Sequence, residues 1–463
     1  MGAQPELEYL GQDAQATPPT ASALLFTGFE PFPNPVCSAD PLQWPGYPGE
    51  LEATRDRTGS PQAVTAGTAF VNGQPCVAIA FRFDFLGGSM GQVEGTLIVQ
   101  AIEEATRNRW PLVSVARSGG ARMQEGTVAL FQMAYIARAL VRLAAAGAPH
   151  IAVVDDPTTG GIWAALTAAA DVIIARAGSQ VAFAGNRVRP GLVHKQSPSS
   201  GEGKHAAGFI DVVAEDAALA DTVANYLHLL SPLTRGDTAP PDIPTLTREP
   251  TAPPPSGWGS VQAARSPQRT SSERYLSDYF DSTAPLSGDR AGGLDPQLRC
   301  GLGRRDGRTI AFICQLGGTA HASGFRTASR VLALADRLCL PVVTFIDTSG
   351  ADNSPEAELS GVGTAIAELL QRLAACTVPV LSVVVGQGVS GAAIALINPD
   401  NLWMAPDSYL AVIAPESAAA ILKQEPAAIP QIAGQLTLSP QQLMTLGLAH
   451  GTLALAHRDT DPW

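Results

Sequence analysis

Two turns that contain paired glycines are the part of this chain whose residue types best suit chemistry. Gly119 and Gly120 stand between the strand-like run 111–116 and a helix-like run, and Gly160 and Gly161 repeat this arrangement about 40 residues later. Glycine lets a ligand approach the backbone, and the first amides of a helix have no partner within that helix. Because these amides and the helix dipole favour negative charge, each turn can stabilise an anionic oxygen.

The elements that must position these turns follow an α/β pattern. Strand-like and helix-like runs alternate over residues 65–190 and again over about 308–425, which predicts two α/β domains. Clusters of proline separate the two regions, and the start of the chain shows no periodicity. The predicted divisions are a flexible N-terminal segment (1–37), a first domain (38–230), a proline-rich linker (231–272) and a second domain (273–463).

The second half of the chain repeats the first at a constant spacing. Gly120 corresponds to Gly350, and Gly161 corresponds to Gly391 (391 − 161 = 230), with no gap over about 100 positions. Turn glycines, boundary prolines and helix faces stay in phase, which indicates a duplicated domain. The duplication gives the glycine turn a second-half counterpart, formed by Gly391, Ala392 and Ala393.

Short motifs in both halves resemble the carboxyltransferase of bacterial acetyl-CoA carboxylase. The first half resembles its β subunit in residues 85–91, 118–125, 156–161 and 183–188. The second half resembles its α subunit in residues 324–326, 344–351, 386–393 and 412–416. The chain thus resembles β and α subunits fused into one protein. The family's fold implies two duplicated crotonase-like domains, each a spiral of ββα units.

The resemblance implies an enzyme that moves a carboxyl group to or from the α-carbon of an acetyl- or malonyl-type thioester, through an enolate. The thioester oxygen would lie on the amides of Gly160 and Gly161, and the ureido oxygen of biotin on the turn of Gly391, Ala392 and Ala393. No close set of His, Asp and Ser accompanies these turns, which fits a cofactor that supplies the base. These five residues are the predicted catalytic groups.

The resemblance also implies partners. None of the three lysines is flanked by Met, and the chain has no ATP-binding glycine loop. Biotin would therefore arrive on a separate biotin carboxyl carrier protein, charged by a separate biotin carboxylase. The substrate would be a thioester of CoA or of the phosphopantetheine on an acyl carrier protein. In the resembled family the β-type half of one protomer faces the α-type half of another, so a homodimer is implied.

Further residues around the two turns are implied as binding groups. On the thioester side they are Ser118, Gly119, Gly120, Ala121, Arg122, Ala184, Gly185, Arg187, Arg189 and Lys195. On the biotin side they are Arg326, Ser349, Gly350 and Ala351. The basic residues at 187–195 continue to Lys204 and His205, and together they suit a CoA phosphate or an acidic carrier protein. A solvated basic loop is the alternative interpretation.

Three alternative functions stay open. The α-subunit family has more glycine than residues 388–392 and a longer basic stretch before Gly324, so a biotin-independent decarboxylase of malonyl-type thioesters is a second hypothesis. Residues 87–91 fit the G-x-S-x-G pattern, which would make Ser89 the nucleophile of a serine hydrolase, although its repeat counterpart is Thr319. A non-catalytic subunit is the third hypothesis.

Composition argues against several classes of protein. The formal net charge of −12 does not suit nucleic acid as a general partner. Six cysteines without a C-x-x-C pair predict no zinc or other metal site and suit a reducing compartment. The resembled β subunits usually carry a four-cysteine zinc ribbon where this chain has only Cys37. Without a signal-like start or a run of about 18 apolar residues, we expect a cytoplasmic protein without membrane contact.

Overall fold

The structure, a computed structural model, describes residues 20–33, 37–183, 197–246 and 256–455. Within these ranges the chain forms two eight-stranded sheets, one in each half, and one two-stranded sheet. The sheets carry helices on their faces, as the alternating pattern predicts.

The first half contains a mostly parallel sheet with the order β1-β2-β3-β4-β5-β6-β8 and β7 beside β5. Its strands are β1 (Thr27–Pro31), β2 (Val64–Val71), β3 (Gln74–Phe81), β4 (Leu112–Ser118), β5 (His150–Thr159), β6 (Val172–Arg176), β7 (Val181–Ala182) and β8 (Val212–Ala214). Its helices are α1 (Ala21–Leu25), α2 (Tyr47–Thr58), α3 (Gln92–Asn108), α4 (Gly126–Ala145), α5 (Gly160–Ile162), α6 (Gly201–Ala206) and α7 (Asp216–Leu230).

The second half contains a sheet with the order β18-β16-β15-β13-β11-β10-β9 and β17 beside β15, while β12 pairs with β14 alone. Its strands are β9 (Ser282–Pro285), β10 (Leu298–Arg305), β11 (Arg308–Gln315), β12 (Thr319–Ala320), β13 (Val342–Thr348), β14 (Gly350–Ala351), β15 (Val380–Val389), β16 (Leu402–Met404), β17 (Tyr409–Ala411) and β18 (Gly451–Thr452). Its helices are α8 (Gly257–Ala264), α9 (Ser272–Tyr279), α10 (Ala322–Arg337), α11 (Pro355–Leu359), α12 (Val362–Ala375), α13 (Ser390–Ile394), α14 (Pro415–Ile421), α15 (Ile429–Gln435) and α16 (Pro440–Thr445).

The internal repeat is confirmed at the level of strands. β13 and β15 begin and end 230 residues after β4 and β5 (342 − 112 and 380 − 150). Each half also begins its core with an antiparallel hairpin followed by a long helix: β2 and β3 before α3, and β10 and β11 before α10. This arrangement is a ββα unit present once in each half.

One hydrophobic core joins the two halves. It contains Val113 and Ile151 from the first sheet, Leu230 from α7, and Leu302 and Leu332 from the second half. The strands of each sheet that lie between helices are apolar on both faces, which is the composition that a doubly covered parallel sheet requires. The turn of Gly160 and Gly161 and its counterpart at Gly391 therefore belong to halves that are packed against each other.

The start of the described chain is ordered where a flexible segment was predicted. α1 and β1 lie within residues 20–31, and β1 extends the first sheet by pairing with β2. The amide of Ala21 donates to Asp155 Oδ2 over 3.0 Å, which fixes α1 against β5. Residues 1–19 lie outside the described part of the chain.

The end of the predicted linker also differs from the structure. α8 forms within residues 231–272 and packs through Val261 and Ala264 into a core with Val389 and Tyr409. The second half therefore begins to pack near residue 256. The apolar residues of this short helix are surrounded by Pro, Ser and Gly, which conceal its periodicity in the sequence.

The buried residue His150 of β5 should make the stability of the fold depend on pH. His150 Nε2 lies 2.8 Å from Ser114 Oγ, the residue is 3% exposed, and burial lowers its pKa to about 3. Below pH ~6.5 the unfolded chain takes up a proton at this residue and the folded chain does not, so folding stability falls as the pH decreases towards 3. We expect this histidine to cost about 1.4 kcal/mol between pH ~7.5 and ~5.5.

Urea unfolding of the wild type and His150→Asn at these two pH values measures this effect. The asparagine variant has no titrating group here, so it should lose about 1.4 kcal/mol less stability over the interval. Equal losses in the two proteins would show that His150 is not held neutral in the folded state.

Candidate functional site

The two glycine turns of the first half are in direct contact. A Cβ on Gly120 would lie 3.5 Å from Gly160 Cα, and a Cβ on Gly160 would lie 3.3 Å from Gly120 Cα. Both residues have positive φ angles, +110° and +61°, which side chains rarely adopt. Side chains at either position would separate the turns, so the sequence has glycine at both.

Ser118 holds the first turn from below. It ends β4 opposite Thr158 of β5, and its hydroxyl donates to Gly88 O over 2.6 Å and accepts from Gly120 N over 3.0 Å. The Ser118 side chain is fully buried, so this predicted binding residue supports the backbone. The Thr159 hydroxyl donates to Ser118 O over 3.2 Å and connects the two turns.

The second turn leads directly into a short and irregular helix. α5 begins at Gly160, and a π-helical segment, Trp163–Thr167, follows it, in which Ala168 N donates to Trp163 O over 2.8 Å. The first-turn amides of Gly160 and Gly161 therefore have no acceptor within the helix. Single π-helical turns often occur at functional sites. These amides can hold the oxygen of a thioester as charge develops on it.

Arg122 is buried beneath the turns and takes part in an ion-pair network. Its side chain is 1% exposed, and its Nη2 and Nη1 lie 2.7 Å from Glu94 Oε1 and 3.0 Å from Glu125 Oε1. Tyr47 OH also donates to Glu125 Oε1 over 2.8 Å. Although burial opposes it, the charge of Glu94 raises the pKa of Arg122. Direct contact with the substrate was expected for this residue, but its buried guanidinium positions the turn.

The network was not predicted from the sequence. Glu94 lies three residues after Gly91, where it closes the start of α3 by accepting from Gly91 N over 3.0 Å. That spacing at a helix start is a recognisable signal. The partners of Glu94 at Ser38 and Arg122 are 56 and 28 residues away in the chain, so nothing local identifies the full cluster.

A cleft of about 740 Å³ opens beside the first-half turns. Gly119, Ala121 and Thr159 line it beside the turns, and Arg57 and Phe83 are also among its lining residues. This volume is in the range of small-molecule sites, which commonly measure about 300–1,000 Å³. The cleft gives a ligand of cofactor size access to the contact between the turns.

Ser89 has no general base beside it in the described structure. Its hydroxyl accepts from Arg122 Nε over 3.1 Å, and its φ of −70° is ordinary extended backbone. A nucleophile elbow would hold the serine in a strained turn with a histidine within reach. The geometry does not favour the serine hydrolase hypothesis.

Replacement of this serine is therefore expected to have little effect. Ser89→Ala removes one acceptor of Arg122 and no reacting atom, so kcat should stay within about tenfold of the wild type. A steady-state assay with the enzyme's thioester substrate measures this. Loss of a nucleophile costs far more, and a decrease above ~1,000-fold would support a hydrolase.

The second-half turn reproduces the same support with different residues. Thr348 Oγ1 donates to Gly318 O over 3.0 Å and accepts from Gly350 N over 3.1 Å, as Ser118 does in the first half. Gly350 has a φ of +126°. Ser390 occupies the place of Gly160 and has a φ of +60°, an unusual conformation for a residue with a side chain.

Gly391 lies at the start of α13 in open space. A Cβ on this residue would meet no atom within 4 Å. Ala392 and Ala393 are buried in the core, with 1% and 0% of their surface exposed, so Gly391 is the accessible member of the predicted trio. Ser349 lies beside this turn with its hydroxyl 3.3 Å from Thr319 Oγ1, and Ala351 pairs with Ala320.

The guanidinium of Arg326, a predicted biotin-side residue, is already paired within the second half. Its Nη2 lies 2.7 Å from Asp289 Oδ2, and its Nη1 donates to Ser360 O over 3.0 Å.

Asp347 was not predicted as a site residue, although it lies within the motif 344–351. It is buried and accepts from Gln387 N over 2.9 Å, Ser272 Oγ over 2.8 Å and Arg269, so it fixes the end of β13.

Five predicted substrate-binding residues lie outside the described part of the chain: Ala184, Gly185, Arg187, Arg189 and Lys195. Of the basic cluster, Lys204 and His205 are described. Lys204 Nζ lies 4.8 Å from the ring centre of Phe209 and 5.9 Å from that of Trp163, and burial lowers its pKa. His205 Nδ1 lies 2.9 Å from Ile210 O. Lys204 thus lies close to the segment that follows α5.

Comparison with known proteins assigns the chain to a family. Residues 255–461 match the family described as acetyl co-enzyme A carboxylase carboxyltransferase-like. A protein of Salinispora tropica named acetyl-coenzyme A carboxylase carboxyl transferase subunits beta/alpha is 38% identical over 438 residues, which cover 89% of this chain and 77% of that protein. The chain belongs to the acetyl-CoA carboxylase carboxyltransferase family. The resemblance found in the motifs of both halves is confirmed, as is the prediction that the chain is an enzyme.

Other similar proteins support the assignment of the chain to this carboxyltransferase family. A probable biotin-dependent acyl-coenzyme A carboxylase beta3 subunit of Mycobacterium bovis is 33% identical over 428 residues, covering 89% of this chain and 84% of that protein. Among solved structures, transcarboxylase 12S with hydrolysed methylmalonyl-coenzyme A has a TM-score of 0.76 at 20% identity and covers 94% of this chain and 86% of that chain. The predicted fold, two duplicated crotonase-like domains, is confirmed.

Proposed function

We propose that this carboxyltransferase moves a carboxyl group to or from the α-carbon of an acyl thioester through an enolate. The amides of Gly160 and Gly161 would hold the enolate oxygen. The observation that carries this proposal is the contact of two glycine turns at the start of α5. The neighbouring residues Gly119 and Thr159 line a cleft of about 740 Å³. One backbone donor of this kind commonly contributes about 3 kcal/mol to the transition state.

The thioester would be bound from the cleft side. Gly119 and Ala121 form the wall along which the acyl group could reach the amides. The basic residues Arg187 and Lys195 remain candidates for the CoA phosphates or for an acidic acyl carrier protein. Relatives named for acyl-coenzyme A carboxylases support an acyl-CoA substrate.

The second-half turn would take biotin on a separate carrier protein. Gly391 and Ala392 would hold its ureido oxygen through their amides, and the open space at Gly391 fits a group that approaches from outside. When bound, biotin supplies the carboxyl group. The relative named as a biotin-dependent carboxylase subunit supports this, and it implies a separate biotin carboxylase as partner.

A homodimer would bring the two kinds of turn together. α4 exposes an apolar face, with Leu130 and Phe131 more than half exposed and Val141 70% exposed. The segment Met123–Ala145 is long and apolar enough to cross a membrane by length and composition, but it packs along α3 in an α/β half. Exposed apolar patches of this kind commonly mark protein interfaces. We propose that the second half of another copy covers this face.

A biotin-independent decarboxylase is the second candidate function. Ser390 places a hydroxymethyl group where the first half has Gly160, so the turn proposed for biotin differs chemically from the first-half turn. Incubation of the purified chain with malonyl-CoA, without biotin, separates the two functions. Release of carbon dioxide at a normal enzymatic rate supports decarboxylation. Exchange of carboxyl groups only after biotin carrier is added supports carboxyl transfer. If the purified chain shows neither reaction, the proposed function is contradicted.

A further inference from the structure

A small pocket of about 290 Å³ lies where the two halves meet. Ala168 and Asp171 from the first half form one side, and Arg330 and Arg337 of α10 form the other, with Arg290 between them. None of these residues lines the cleft beside the glycine turns. The pocket is thus lined by three arginines in a chain whose formal net charge is −12.

Asp211 neutralises two of these arginines only in part. Its side chain is fully buried; Oδ1 accepts from Arg330 Nη2 over 2.9 Å and from Ser287 N over 3.0 Å. Oδ2 accepts from Arg290 and, over 2.8 Å, from Ile173 N. The carboxylate has four donors, so it has no further capacity for either guanidinium.

Asp171 is the second carboxylate at the pocket. Its Oδ1 accepts from Arg337, and its Oδ2 accepts from His150 N over 2.9 Å. Arg330 Nη1 reaches only its backbone oxygen, over 3.5 Å. Three guanidinium groups therefore face two carboxylates, so among the described residues one positive charge at this junction has no counterion.

Two guanidinium nitrogens at the junction also have no hydrogen-bond partner within the part of the chain that the structure describes. Arg330 Nε and Arg337 Nη1 are both buried without an acceptor. Buried charged donors are normally paired, because leaving them unpaired costs free energy. Arg290 has a φ of +62°, and burial and the neighbouring charge of Arg330 lower its pKa. Unusual backbone in a side-chain-bearing residue is frequent at ligand sites.

We propose that this pocket binds a phosphoryl oxyanion, either free phosphate or the phosphate of a small ester. Guanidinium groups match phosphate through paired N–H donors, and a dianion at the exposed parts of these arginines would supply the missing negative charge. A pocket of about 290 Å³ has room for phosphate and for a small phosphate ester. Bound there, the anion links α10 to the segment that follows the π-helical turn. The alternative is that the arginines only clamp the two halves together.

Isothermal titration of the full chain with inorganic phosphate, and separately with glycerol 3-phosphate, tests the proposal at constant ionic strength. We expect saturable binding by the wild type, and at least a tenfold weaker Kd for Arg337→Gln. At about ten times Kd the anion should also raise Tm by about 1–2 °C. Arg372→Gln, which removes an exposed arginine of α12, should bind like the wild type.

Ala333→Leu is a second variant that keeps every charge. Ala333 lines the pocket, so a leucine there should block the anion even if Arg337→Gln is too unstable to study. Binding of only one of the two probes identifies the source of the phosphoryl group and supports the site. No saturable binding by the wild type, or unchanged binding by both pocket variants, would overturn the proposal. So would loss of binding on reversing Arg187 and Lys195 to Glu with the pocket intact.

Discussion

Gly161→Val is expected to abolish turnover of every thioester substrate, whichever direction the reaction takes. Both carboxylation and decarboxylation need the enolate, and a branched side chain at Gly161 would displace the amides that we propose hold its oxygen. Two donors of about 3 kcal/mol each are at stake, so kcat/KM should fall by at least ~1,000-fold. A Cβ at Gly161 would lie 2.8 Å from Met133 Sδ, and methionine is flexible enough to move aside.

Gly391→Val is the matched variant in the other half. A Cβ there meets no atom within 4 Å, so the substitution should not disturb folding. If biotin is the carboxyl donor, this variant should also lose carboxyl transfer. If the enzyme is a decarboxylase, it should keep far more activity than Gly161→Val. The pair thus separates the two candidate functions by the same chemical change at repeated positions.

Initial rates with malonyl-CoA, with and without biotin carrier, give the measurement, and near-ultraviolet circular dichroism and Tm confirm that both variants fold. Gly160 is less suitable for this test because its φ of +61° would strain any side chain. A folded Gly161→Val enzyme with near-normal turnover would show that the active turn lies elsewhere in the chain.

The sequence predicted the duplicated fold well because its signals are local. Gly120 and Gly350 follow β4 and β13, and their positive φ angles favour glycine, so they stay at fixed offsets in both halves. Strands and helices between them alternate with few long insertions. The same signals located the two turns, and the structure places Gly120 against Gly160 as a pair of contacting loops.

The parts that escaped prediction depend on contacts between distant residues. Glu94 and Arg122 become partners only when α3 and the turn after β4 meet, so no local sequence pattern predicts this buried ion pair. The arginines at the junction meet Asp171 and Asp211 across more than 75 residues. α8 was not predicted, because its few apolar residues pack against elements that lie about 130 residues later in the chain. Periodicity cannot report contacts of this kind.

Arg122→Met is expected to destabilise the fold more than any other single change beneath the site. It leaves Glu94 and Glu125 buried, side by side and without their shared cation, and an uncompensated buried charge commonly costs 3–5 kcal/mol. The free energy of unfolding in urea should fall by about that amount. Arg142→Met is the matched control, because its ion pair with Glu103 has the same 2.7 Å distance but is about half exposed, so it should cost at most ~1 kcal/mol.

Adding Glu94→Gln and Glu125→Gln to Arg122→Met should recover part of the loss, since the neutral amides remove the unpaired charges while they keep the size of the side chains. The difference between the single and triple variants isolates the electrostatic part of the effect. Because Arg122 Nη2 also donates to Ser89 O over 2.6 Å, the single variant should lower kcat as the turn loses its support. If Arg122→Met proves no more destabilising than Arg142→Met, the buried network does not carry the turn, and the substrate-binding role first expected for Arg122 becomes the better account.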